Sequence, residues 1–108
     1  MDDNKIVELY FNRSERAISE SRDKYGGQCG IIAFNILRCK EDSEECVSDT
    51  WFKAWNSIPP QKPGRLALFL GRITRNLAID RYRKQRSTKR GGGETTHILR
   101  ENGGLLQY

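Results

Sequence analysis

Arg72, Arg75, Asn76, Ile79, Tyr82, Arg83 and Arg86 fall on one side of a helix when the chain is projected at about 100° per residue. Guanidinium groups neutralise phosphates and stack on bases, a phenol ring offers a π-face, and an amide makes two hydrogen bonds to a base edge. This mixture suits an unpaired nucleic-acid strand better than bare phosphate contact. The plainer reading is an arginine-rich surface that serves solubility.

A second set, Glu41, Glu45, Ser48, Asp49, Phe52 and Asn56, shares the outer side of an earlier helix. A solvated face normally mixes both charge signs at salt-bridge spacing. An exposed Phe ringed by acids fits a basic protein partner, because desolvated aromatics supply much of the energy of an interface. Ordinary surface is again the alternative. These acids lack a histidine and a second shell, so no metal site is expected of them.

Catalytic chemistry finds no footing. The single histidine, His97, stands in a polar C-terminal stretch, and no Ser/His/Asp or Cys/His set can be assembled. Cys29, Cys39 and Cys46 are odd in number and lack C-x-x-C spacing, which argues against a disulfide framework or a zinc site and for reduced thiols. The expectation is a non-enzymatic protein without a cofactor.

The charge is segregated. Residues 1–64 carry 9 basic and 11 acidic groups, whereas residues 65–90 carry nine basic groups against Asp80 alone. A basic block on a mildly acidic body is the footprint of a polyanion binder. With 108 residues and a net charge of +5, the chain suffices for one small domain. No apolar run approaches the roughly 18 residues of a membrane span, and the acidic start lacks a signal-peptide core. A cytoplasmic protein is expected.

The elements that must position these groups are helices, because Gly and Pro are sparse before Pro59 apart from Gly26, Gly27 and Gly30. The pattern predicts an all-α bundle of about four helices. The first covers about residues 4–12, with Ile6, Leu9 and Tyr10 inward. Ser14 is read as N-cap of a second helix ending near Leu37, with a stripe of Ile18, Tyr25, Cys29, Ile32 and Ile36 and a kink or break at its three glycines. Asp42 and Glu45 are read as a capping box opening the third helix, which buries Val47, Trp51, Ala54 and Ile58 and stops at Pro59-Pro60. A fourth helix, about Arg65–Arg86, buries Leu66, Phe69, Leu70, Ile73 and Leu77. Past Leu77 that face holds Asp80, Arg81 and Lys84, so the helix is expected to leave the core there. The helical domain is placed at residues 3–90, and 91–108 is read as a Gly-containing linker or disordered tail.

Two segments carry a family resemblance. Residues 41–55 (EDSEECVSDTWFKAW) and 70–83 (LGRITRNLAIDRYR) resemble the acidic helix and the promoter-reading helix of region 2 in extracytoplasmic-function (ECF) sigma factors of bacterial RNA polymerase. The resemblance extends over about residues 3–93, including Asn56-Ser57-Ile58-Pro59-Pro60 and Lys89-Arg90-Gly91-Gly92-Gly93. It implies an all-α domain whose acidic helix docks on the clamp helices of the polymerase β′ subunit through Glu45, Ser48, Asp49 and Phe52, with Glu41 and Asn56 beside them. Family members often carry Gln where this chain has Ser48. The resemblance further implies that the loop Ser57–Arg65, with Ser57, Lys62 and Arg65, captures a flipped base of the −10 promoter element. Asn76, Arg72 and Arg75 would hold the non-template strand, and an anti-sigma factor is a further expected partner. No helix-turn-helix region 4 is found in the tail, so weak binding to promoter DNA is expected of the chain alone. A helical module that binds polymerase or an anti-sigma factor without reading DNA is the competing reading.

Overall fold

The computed structural model describes residues 1–89, with side chains to Arg86. Four helices follow one another among them: α1 (Asp3–Phe11), α2 (Arg16–Leu37), α3 (Lys40–Ser57) and α4 (Leu66–Lys89). The tail expected over 91–108 lies outside the described residues. The central α2 packs against each of the other three helices, and α3 also packs on α4.

The chain leaves α1 through Arg13, which adopts a left-handed φ of 57°. Ser14 N–H donates to Leu9 C=O at 2.9 Å and Arg13 N–H to Tyr10 C=O at 3.0 Å, the paired bonds that satisfy carbonyls at a helix end. The cap position of α2 belongs to Glu15 rather than to Ser14. The Ser14 hydroxyl still accepts from Arg16 N–H at 3.3 Å. The expected kink or break is absent, since α2 runs unbroken through Gly26, Gly27 and Gly30. Its continuity follows from packing on three neighbours, which outweighs about 1 kcal/mol per glycine.

The start of α3 also differs from expectation. The helix begins at Lys40, two residues before Asp42, with Cys39 as its cap. Asp42 therefore makes no capping box and turns to α4, where it accepts from Gln85 Nε2 at 2.8 Å. The Ser43 hydroxyl donates to Cys39 C=O at 2.7 Å.

Two apolar clusters fill the bundle. One gathers Ile6, Val7, Tyr10, Ala17, Cys29, Trp51, Ala54, Ile58, Leu66 and Leu70. The other gathers Ala33, Leu37, Cys46, Ala78 and Tyr82. Buried polar side chains join the helices as well. The Thr50 and Thr74 hydroxyls meet at 2.8 Å, Cys46 Sγ donates to Thr74 C=O at 3.5 Å, and Tyr10 Oη meets Ser21 Oγ at 2.8 Å. Burial pushes the Cys46 thiol up to about 11, with smaller effects from Arg81 (lowering), then Asp49 and Cys29 (raising). At the surface, the Asp3 carboxylate accepts from Lys24 Nζ at 2.7 Å and from Tyr25 Oη at 2.7 and 2.8 Å, tying α1 to α2.

The buried stripe of α4 is Leu66, Leu70, Thr74, Ala78 and Tyr82. Phe69, Ile73 and Leu77 flank it, half-buried. A four-residue step advances about 40° around a helix, so the buried face rotates along α4. That rotation corrects the expectation that the helix leaves the core beyond Leu77: Ala78 and Tyr82 keep it packed on α2 and α3.

Candidate functional site

Opposite that stripe, α4 presents Arg72, Asn76 and Arg83 exposed, with Arg75, Ile79 and Arg86 half-buried beside them. A helix held by its buried side offers these groups as a fixed row of cations around one amide. Tyr82 does not belong to the row. It is only 7% exposed, it packs with Ala33, Leu37, Cys46 and Ala78, and the Arg86 guanidinium lies 4.8 Å over its ring. The expected aromatic platform is thus turned inward, because the rotating stripe reaches Tyr82 at the helix's far end.

The loop expected to begin at Ser57 begins one residue later: Ser57, half-buried, ends α3, and the segment between Ile58 and Arg65 carries Lys62 and Arg65 exposed. Gln61 N–H donates to Ser57 C=O at 2.9 Å and Phe69 N–H to Arg65 C=O at 3.0 Å. Lys62 and Pro63 form one wall of a cleft of about 380 Å³ whose other wall is Asn4, Val7, Glu8 and Phe11 of α1. The cleft joins an aromatic ring, an amide and a cation, which is wall chemistry suited to a planar heterocycle. No sequence pattern marks Asn4 or Phe11, since nothing local says that α1 faces this loop.

The start of the loop is fixed by Arg13, a residue that no periodicity marks. Its Nη1 donates to Trp55 C=O at 2.9 Å and to Ile58 C=O at 3.0 Å. Its Cζ also lies 3.8 Å from the centre of the Trp55 ring. Carbonyls at a helix C-terminus lack intrahelical donors and carry partial negative charge, so a guanidinium there is doubly favourable.

On α3, Glu41, Glu45, Ser48, Asp49, Phe52 and Asn56 are all exposed, Phe52 at 69%. Phe52 stands beside Trp55, Ile18 and Arg22 along the seam with α2. The structure adds a cation to the acidic group. Arg81 of α4 reaches across to Glu45 at 3.0 Å, Asp49 at 3.5 Å and Asp42 at 3.8 Å. Asp42, Glu45 and Asp49 repeat at helical spacing, so without Arg81 they would repel one another along one line. The face keeps an acidic excess, because Glu41 and Glu44 border the same shallow depression. Arg81 does not leave the bundle with the end of α4, as its charge implies, but links α4 to α3.

The acidic face and the cationic row thus lie on different helices, locked by α2 and by Arg81. No group of three or more His, Cys, Asp or Glu side chains able to hold a metal ion occurs among the described residues. No helix among them is long and apolar enough to cross a membrane. The family model described as Sigma-70 region 2 matches residues 24–88. No curated protein and no solved structure matches the chain.

Proposed function

The chain belongs to the sigma-70 region 2 family, and from that premise we propose that it is an ECF-type domain that docks on polymerase through α3 and holds the melted −10 strand through α4. Membership makes it a non-enzymatic domain of transcription initiation whose partners are RNA polymerase and promoter DNA. Its work is therefore binding. Unstacking and flipping one base costs a few kcal/mol, and contacts with the strand must offset that cost.

In this reading Asn76 meets a base edge, while Arg72, Arg75, Arg83 and Arg86 meet phosphates, with Ile79 as an apolar neighbour. Lys62 borders the cleft against α1 that receives the flipped base, with Ser57 and Arg65 at the two ends of the same segment. Glu41, Glu45, Ser48, Asp49, Phe52 and Asn56 face the β′ clamp helices, whose cations would compete with Arg81 for Glu45 and Asp49. The subtype also implies an anti-sigma partner. The observation that carries the proposal is the exposed row of Arg72, Asn76 and Arg83 backed by the buried stripe from Leu66 to Tyr82.

The burial of Tyr82 favours one competing reading, a module that binds polymerase or an anti-sigma factor without reading DNA. Titration of the chain with labelled single-stranded oligonucleotides of varied sequence separates the two. A marked preference for one −10 sequence, kept as salt is raised, supports strand reading. Equal affinity for every sequence, with a steep salt dependence, means phosphate contact alone.

A further inference from the structure

We infer that Arg13 is a positioning residue for strand reading: its guanidinium sets where the loop after Ser57 leaves α3, and so how strictly that loop selects a base. The inference rests on the proposed capture of a base by this loop.

Three observations on one side chain converge. Arg13 holds a left-handed φ of 57°, a conformation that non-glycine residues rarely adopt and that glycine would adopt without strain. A strained position persists where its surroundings over-determine it. Here the guanidinium spans the last turn of α3, donating to Trp55 C=O at 2.9 Å and Ile58 C=O at 3.0 Å. It also stacks on the Trp55 ring at 3.8 Å. Trp55 in turn leans on Tyr10 of α1, ring centres 6.3 Å apart.

The geometry matters because of where Ile58 stands. Its side chain is fully buried, and its backbone is the extended residue at which α3 stops. Everything from Pro59 to Arg65 departs from that point. Arg13 therefore fixes the first carbonyl of the loop from outside it, across 45 residues of sequence. The same residue makes the left-handed turn that follows α1, and α1 supplies the opposite wall of the cleft. One side chain thus ties the start of the loop to the end of the helix that faces it. Both bonds come from Nη1, so a lysine ammonium could replace them in part, but it could not also lay a planar guanidinium over the Trp55 ring.

The test compares the full chain with Arg13→Lys and Arg13→Gly. Glycine relieves the backbone while deleting the guanidinium, so it is suited to keep the fold. Each protein is titrated with the single strand that the wild type prefers and with a scrambled strand of equal composition, and unfolding midpoints are taken alongside. We expect Arg13→Lys to leave scrambled-strand affinity unchanged. Both variants should lose about fivefold on the preferred strand, the scale of one charge-assisted contact felt indirectly. A second readout needs no DNA: trypsin cleavage after Arg65, the susceptible loop bond because Pro63 follows Lys62, should accelerate in Arg13→Gly. A wild type that discriminates, with variants that discriminate equally and are cleaved no faster, overturns this inference alone. A wild type without preference overturns base capture and this inference with it.

Discussion

Asn76 is the one uncharged polar side chain in the exposed row of α4, and its surroundings settle what its loss should do. It is exposed and belongs to neither apolar cluster, so stability should stay within about 0.5 kcal/mol on its replacement. An amide paired to a base edge is worth about 1–3 kcal/mol of discrimination. Asn76→Ala is therefore expected to weaken binding to the preferred −10 strand by at least about fivefold, with the unfolding midpoint unmoved. Unchanged strand preference in the titration would remove Asn76 from the reading surface. Buried residues behave differently. The Cys46 thiol titrates at about 11 in the native chain against 9.0 when exposed, because its thiolate would be desolvated. The native state thus holds its proton more tightly than the unfolded one. That contribution is complete below pH 9 and is lost as pH rises from there through about 11. Cys29 and Tyr10 are pushed in the same direction by burial. Denaturant midpoints should fall across this range, and Cys46→Ala should flatten the fall without abolishing it.

Between elements, Arg81 is the tie that joins α3 to α4 at the surface. Its side chain is 28% exposed and faces three carboxylates, two of them well solvated. Solvated pairs contribute about 0–1 kcal/mol each, and the three share one cation. Arg81→Met should therefore destabilise the chain by about 1 kcal/mol at low salt. The difference should largely vanish near 1 M salt, where the Debye length is about 3 Å; a penalty independent of salt would mean that packing of the side-chain stem dominates. This tie also marks the limit of what the sequence discloses. All four helices and the outward placing of Arg72, Asn76, Glu45 and Phe52 follow from apolar periodicity. The inner face of α2 does not: it buries Ala17, Ser21, Cys29, Ala33 and Leu37, while Ile18, Tyr25, Ile32 and Ile36 of the expected stripe are only half-buried. The buried stripe of α4 was missed in part because Thr74 and Ala78 are weak signals and because its four-residue repeat rotates around the helix. Tyr82 then looked exposed and Arg81 looked stranded. The start of α3 was misplaced because Asp42 has the chemistry of a cap, while its partners Gln85 and Arg81 lie some forty residues away. Arg13 left no trace at all, since its partners are backbone carbonyls.

Across the whole molecule the charge separates into an acidic face on α3 and a basic row on α4, and the two should be separable by experiment. Each phosphate neutralised on a single strand contributes about 0.7 to the salt slope. Arg83→Ala should therefore make the slope shallower by about that amount for every sequence, leaving preference intact. On the other face, Asp49→Arg is expected to abolish capture of core polymerase. Asp49 is also held by Arg81 at 3.5 Å, so a reversed charge there breaks the tie as well as the docking face. Phe52→Ala resolves the ambiguity, because Phe52 is exposed beside Trp55 and Ile18 and forms none of the Arg81 ion pairs. An exposed aromatic that becomes buried in an interface commonly carries 2 kcal/mol or more, so Phe52→Ala should reduce capture by about thirtyfold. Loss of capture in both variants, with strand binding retained in Phe52→Ala, assigns docking to the outer face of α3. Loss in Asp49→Arg alone would trace the effect to the broken tie and move the docking surface elsewhere.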